Sequence, residues 1–380
     1  LPNQRVNAGL DRIPDSVKII PGKVRPLSRR PTEAHPQVLI IAPRSDWDSQ
    51  EISWGYAADR LIDARSGTTL LADLWDQVWA EQDERAEKTR TLESTNNTRF
   101  LAAYGLLDEL NPEVRKEQVA LHENAAWRYP TAKTDADRCD AARYDGLCDL
   151  LSYAVGCMFG RYSLDKPGLI LADQSATLQD YFAKIPTPSF APDEDNVIPI
   201  VDGDWFEDDM VGRFRQFLRV AFGDKNFAEN LRFVTESLGV KNLREYFITK
   251  AGKSKFYDDH VQRYKKRPIY WLFSSPKGSF NALVYLHRYT ASTASTVLTY
   301  LREYVTKLES SLQQAERAGN AKEADRLRKI LVELNEYEHD TLYPKASENV
   351  VVDLDDGVKV NYPRLGGALR KIAGLDSSDD

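Results

Sequence analysis

The stretches LREYVTKLESSLQQA, residues 301–315, and ADRLRKILVEL, residues 324–334, carry the clearest pattern in the chain. Leu301, Val305, Leu308, Leu312 and Ala315 alternate four and three apart, and so do Ala324, Leu327, Leu331 and Leu334. That spacing lines apolar side chains along one seam of a helix. Gly319-Asn320 breaks the pattern between the two stretches. The reading is an antiparallel helical hairpin over residues 295–337, because two seams separated by a short break must close on each other.

Just upstream the period changes. Lys265-Lys266-Arg267 leads into Pro268-Ile269-Tyr270-Trp271-Leu272-Phe273, a continuous β-branched and aromatic run. Ser274–Ser279 has turn chemistry and Phe280–Tyr289 is a second apolar segment, which predicts a strand, a loop with Lys277 at its tip, and a second strand or the start of a helix. Further upstream, Leu147, Leu150, Leu151, Ala154, Val155, Met158 and Phe159 form one broad stripe at helical period, so Arg138–Arg161 reads as a buried helix. Residues 167–204 read as a long connection with a short strand at Val197–Val201. Asp208–Phe222 and Phe227–Leu238 read as two helices, with Gly239 as the stop.

Leu71, Leu74, Trp75, Val78 and Trp79 predict another helix, continuing to about Glu93. The first 65 residues are dense in proline, carry the basic stretch Lys23–Arg30, and contain one short apolar run, Val38–Ile41, read as a strand. The fold class is therefore α+β, predominantly helical, with small β elements. Three parts are expected: a connector over 1–65, a helical part over 66–137, and a C-terminal part over 138–380 that includes the hairpin.

The 380 residues exceed the roughly 100–200 of one domain. Hydrophobic residues at 42% and charged residues at 29% suit a folded globular chain. No apolar run reaches the ~18–20 residues that cross a bilayer, so a cytoplasmic location is the expectation. The chain opens at Leu1 without an initiator Met, which suggests a piece of something longer. Net charge is −7, yet Lys241 to Arg302 holds twelve Lys or Arg against Glu245, Asp258 and Asp259. A concentrated cationic stretch on an acidic chain is what a phosphate-facing surface requires; a solvated helix face has the same composition.

No catalytic or metal site is legible. The nucleotide P-loop, the G-x-G-x-x-G dinucleotide motif and the G-x-S-x-G nucleophile elbow are all missing. His35, His122, His260, His287 and His339 lie far apart, and Asp353–Gly357 lacks the ligand spacing of an EF-hand. Cys139, Cys148 and Cys157 recur every nine residues, which turns each about half a revolution from the last on a helix, so they read as small buried side chains.

Four strings together resemble a known family: Ser152–Asp165, Asp202–Asp209, Tyr264–Tyr289 and Asp353–Tyr362. They are similar to the C-terminal half of the PglX family, the adenine-specific DNA methyltransferases of bacterial BREX phage-defence systems, from about Asp46 onward. In that family the upstream half carries the S-adenosylmethionine fold and an Asn-Pro-Pro-aromatic tetrapeptide. The nearest string here, Asn111-Pro112-Glu113, is not that tetrapeptide. The resemblance implies a target-recognition and docking role on double-stranded DNA, beside an upstream methyltransferase domain and other BREX proteins. It leaves open whether this chain is itself an enzyme.

Candidate DNA-facing residues are Lys265, Lys266, Arg267 and Lys277, with the triplet and the loop expected roughly 20–30 Å apart at ~3.3 Å per residue. Arg288 is a candidate for a guanine edge, and Tyr270 and Trp271 for stacking on an extruded adenine. The alternatives are that the triplet pairs with Asp258 and Asp259, that the chain docks other defence proteins through its acidic helices, or that it is a complete enzyme of another type.

Overall fold

A computed structural model describes residues 34–65 and 68–375. The architecture is helical around one small sheet. Three strands, β1 (Val197–Pro199), β2 (Tyr270–Ser274) and β3 (Asn281–Tyr285), pair antiparallel in the order β1-β3-β2. In register, Tyr270 faces Tyr285, Ser274 faces Asn281, and Val197 faces Val284. Every residue of the three strands is buried. Helices and loops cover both faces, which is why these strands read as continuous apolar runs rather than alternating ones.

The central helix, Asp135–Met158, starts at a capping box: Thr134 Oγ1 accepts from the Asp137 amide at 3.0 Å and the Asp137 carboxylate accepts from the Thr134 amide at 3.0 Å. From Leu147 onward it is buried almost all round. Two glycines let neighbours approach: a Cβ on Gly146 would lie 2.8 Å from the Trp75 ring, and one on Gly156 would lie 2.3 Å from the Tyr162 ring. Trp75 belongs to the long helix Leu71–Tyr104, which runs well past Glu93 and stops at Gly105, whose φ is +72°. The helices Met210–Phe222 and Phe227–Ser237 form as the periodicity indicated. The connection before β1 also holds a short capped helix, Leu178–Lys184, that the sequence reading missed.

The helical hairpin is present as Thr293–Arg317 and Ala321–Tyr337. Gly319 takes φ +71°, and Asn320 caps the second helix by accepting from the Glu323 amide at 3.2 Å. Leu301, Leu308, Leu327 and Leu334 are buried in the shared seam; Arg317 and Lys322 flank an exposed bend.

One expectation is overturned. Val38–Ile41 is helical, within Ala34–Asp48, and takes no place in the sheet. A four-residue apolar run fits either period, and with no strand to pair with it the helix is the conformation that satisfies its own backbone. Ile40 and Ile41 are 70% and 60% exposed. The basic stretch Lys23–Arg30 lies outside the described residues.

Candidate nucleic-acid interface

The helix Lys255–Arg263 runs alongside β2, and between them they set the two ends of a cationic face. At one end, the helix closes with the bonds of a Schellman turn. The Lys266 amide donates to the Val261 carbonyl at 2.8 Å and the Lys265 amide to the Gln262 carbonyl at 3.0 Å. Such a turn needs a left-handed residue, ordinarily glycine. Here Lys265 and Lys266 both adopt it, with φ of +51° and +60°, at a cost of roughly 1–2 kcal/mol each.

The chain then turns into β2 under the control of His260. Its buried Nε2 accepts from the Ile269 and Tyr270 amides, both at 3.2 Å, so the proton sits on Nδ1. Burial, with Arg263 and Arg161 nearby, holds its pKa well below the usual histidine range. Arg263 anchors this end to the central helix through Asp149 at 2.5 Å, and the Tyr264 hydroxyl donates to Glu51 at 3.1 Å.

At the other end stands the β2–β3 loop. Glu333, on the second helix of the hairpin and 5% exposed, holds it: Ser275 Oγ at 2.6 Å and the Lys277 amide at 2.8 Å donate to Oε1, and Ser279 Oγ at 2.5 Å donates to Oε2. The loop also meets residues 249–253. A Cβ on Gly252 would lie 2.0 Å from the Lys277 carbonyl oxygen, and Gly278 presses back on the Gly252 backbone. This contact sets exposed Lys250, Lys253 and Lys277 on adjoining loops.

The basic stretch divides once its partners are visible. Arg244 pairs with Asp204 and, at 2.6 Å, with Asp209; Arg263 pairs with Asp149; Arg302 pairs with Glu338 at 2.7 Å. Lys265, Lys266, Arg267 and Lys277 are exposed and, among the described residues, sit within ion-pair distance of no carboxylate. The alternative partners are engaged elsewhere, Asp258 with Arg370 at 3.7 Å and Asp259 with the Tyr246 hydroxyl at 3.0 Å.

The other singled-out residues are interior. Arg288 is 7% exposed and donates to the Phe159 carbonyl at 3.3 Å and the Glu194 carbonyl at 3.1 Å, so its guanidinium braces a turn instead of meeting a base edge. Tyr270 and Trp271 are fully buried, Tyr270 stacked 5.4 Å from Phe159 and Trp271 edge-on at 5.1 Å to Tyr362. No base can reach either ring in this arrangement.

Sequence reasoning missed Glu333, Gly252 and Arg370. The only signal for Glu333 was a carboxylate set beside the apolar seam. Arg370 continues the face: its amide donates to the Leu272 carbonyl of β2 at 2.9 Å and its Nη1 to the Gly252 carbonyl at 3.0 Å. At Gly146, Gly156, Gly252 and Gly278 the close approach is filled by the protein's own atoms.

No family model matches the chain. It is 32% identical over 361 residues to the adenine-specific methyltransferase BrxX of Escherichia coli O9:H4 (strain HS), covering 88% of this chain. It is 33% identical over 346 residues to the adenine-specific methyltransferase PglX of Lacticaseibacillus casei (strain Zhang), covering 86% of this chain. The chain spans 29% and 27% of the lengths of these relatives. The PglX-like resemblance carried by the four strings thus extends over most of the sequence.

Proposed function

We propose, from this similarity to a stretch of two adenine-specific methyltransferases, that the chain is the DNA-holding part of a BREX-type adenine-specific DNA methyltransferase, with residues 138–380 presenting the contact surface. The observation that carries the reading is the Lys265–Lys266 turn: two left-handed lysines, exposed and, among the described residues, unpaired by carboxylates, in place of the glycine such a turn prefers. Backbone strain kept at a surface needs a use, and two ammonium groups on a fixed turn are suited to phosphates. With Arg267 and Lys277 they border β2, whose five residues span about 17 Å, the axial rise of about five nucleotides of one strand at ~3.4 Å each. These contacts position a duplex without reading its sequence.

Methyl transfer belongs, on this reading, to an upstream methyltransferase domain that supplies S-adenosylmethionine, and other BREX proteins are further partners. A cytoplasmic setting suits such an enzyme; among the described residues no helix is long and apolar enough to cross a membrane. Titration of a labelled duplex by the chain at several salt concentrations tests the proposal. The expected result is saturable binding that weakens steeply with salt. Absence of binding at low salt would overturn it.

A further inference from the structure

Between the Lys265–Lys266 turn and the C-terminal segment lies a cavity of about 480 Å³, within the ~300–1,000 Å³ of small-molecule sites. Its apolar lining is made by Tyr257, Val261, Ile372 and Ala373, with the carboxylate of Asp258 among the polar lining residues. Lysines 265, 266 and 371 stand at its rim, and Lys266 Nζ closes one side by donating to the Ala373 carbonyl at 3.2 Å. An apolar lining alone would accept any aliphatic group. Three ammonium groups at the rim add a demand for an anion, and two planar groups narrow the choice further.

Arg370 lines the cavity, and its guanidinium donates to the Gly252 carbonyl at 3.0 Å and lies 3.7 Å from the carboxylate of Asp258. A planar base stacks on a guanidinium plane. Gln262 is exposed, lines the same cavity, and its amide makes no hydrogen bond among the described residues. A free carboxamide offers a donor and an acceptor together, the pair that matches a nucleobase edge.

We infer that this cavity binds one nucleotide, its base against Arg370 and the apolar lining, its edge on Gln262, and its phosphate among Lys265, Lys266 and Lys371. The nucleotide has two sources, one extruded from the duplex on the cationic face or a free one in solution. The first source rests on the DNA-holding reading above; the second does not.

The test compares the chain's affinity for a fully paired duplex, for the same duplex with one bulged nucleotide, for free 2′-deoxyadenosine monophosphate and for inorganic phosphate. The variants are Ala373→Trp, which fills the cavity from an exposed position, and Gln262→Leu, which removes the amide. The expected result is about ten-fold tighter binding of the bulged duplex than of the paired one, abolished in Ala373→Trp and reduced in Gln262→Leu, with paired-duplex affinity unchanged in both. Saturable binding of the free nucleotide without a bulge preference assigns the cavity to a free ligand. Paired-duplex binding with neither a bulge preference nor nucleotide binding overturns the cavity assignment and leaves the DNA-holding reading intact. Nucleotide binding without duplex binding does the reverse. Inorganic phosphate binding as tightly as the nucleotide overturns the base site.

Discussion

The two ends of strand β2 present the same chemistry and are built in opposite ways. The Ser275–Ser279 loop is held from outside, by a buried carboxylate on the helical hairpin and by the backbone of Gly252. The Lys265–Arg267 turn is held from within, by the last carbonyls of its own helix and by a neutral histidine beneath it. One cation cluster therefore depends on tertiary docking and the other on local backbone geometry. The two should fail under different perturbations.

The largest expected effect is at the loop. Glu333→Ala strands two hydroxyls and an amide that now share one buried acceptor group, and should cost about 3–5 kcal/mol in denaturant unfolding. Glu333→Gln, which keeps the shape and one carbonyl oxygen, should lose distinctly less; equal losses would mean that the carboxylate fills space and does not organise the loop. Gly252→Ala comes next. With a Cβ 2.0 Å from the Lys277 carbonyl and φ +71°, the two loops must part, at about 2 kcal/mol. Amide exchange should quicken at Gly278 and stay unchanged at Lys266.

Acid should act on the other end. The folded-state pKa of His260 lies below its unfolded value of about 6.5. Below that pH the unfolded chain binds the extra proton, and stability falls by up to about 1.4 kcal/mol per pH unit until the folded pKa is reached. Exchange at the Ile269 and Tyr270 amides, taken relative to the intrinsic amide rate at each pH, should therefore rise between pH 6.5 and 5 in the native chain. A His260→Gln variant should not show that rise. The smallest effect is the most diagnostic of strain: Lys265→Gly should stabilise the fold by a few tenths to about 1 kcal/mol while weakening the proposed duplex contact. A destabilised Lys265→Gly would show that the left-handed turn carries no strain worth relieving.

Much of this frame was legible in the chain because it rests on periodicity. The seam of Leu301, Leu308, Leu327 and Leu334, the stripe from Leu147 to Met158 and the apolar run of β2 each repeat a local pattern that burial then enforces. Val38–Ile41 was misread because four apolar residues are too few to establish a period. The candidate site was half legible. Charge density singled out the segment Lys241–Arg302, but within it Arg244, Arg263 and Arg302 find carboxylates up to more than a hundred residues away, and Arg288 finds backbone carbonyls. Among the described residues, Lys265 and Lys277 find no carboxylate. Pairing of that kind is decided by tertiary approach, which residue type does not encode. The same holds for Glu333 and Arg370, whose partners lie on other elements of the fold.

If the cations at both ends of β2 form one phosphate-facing surface, as proposed, they act together on salt-dependent affinity. Replacing Lys265, Lys266, Arg267 and Lys277 together by alanine, and measuring duplex affinity against salt, tests it most directly. The expected result is a log K against log [salt] slope shallower by about 3–4, equally for different duplex sequences, with the circular dichroism of the native fold retained. An unchanged slope in that folded variant would contradict the proposal.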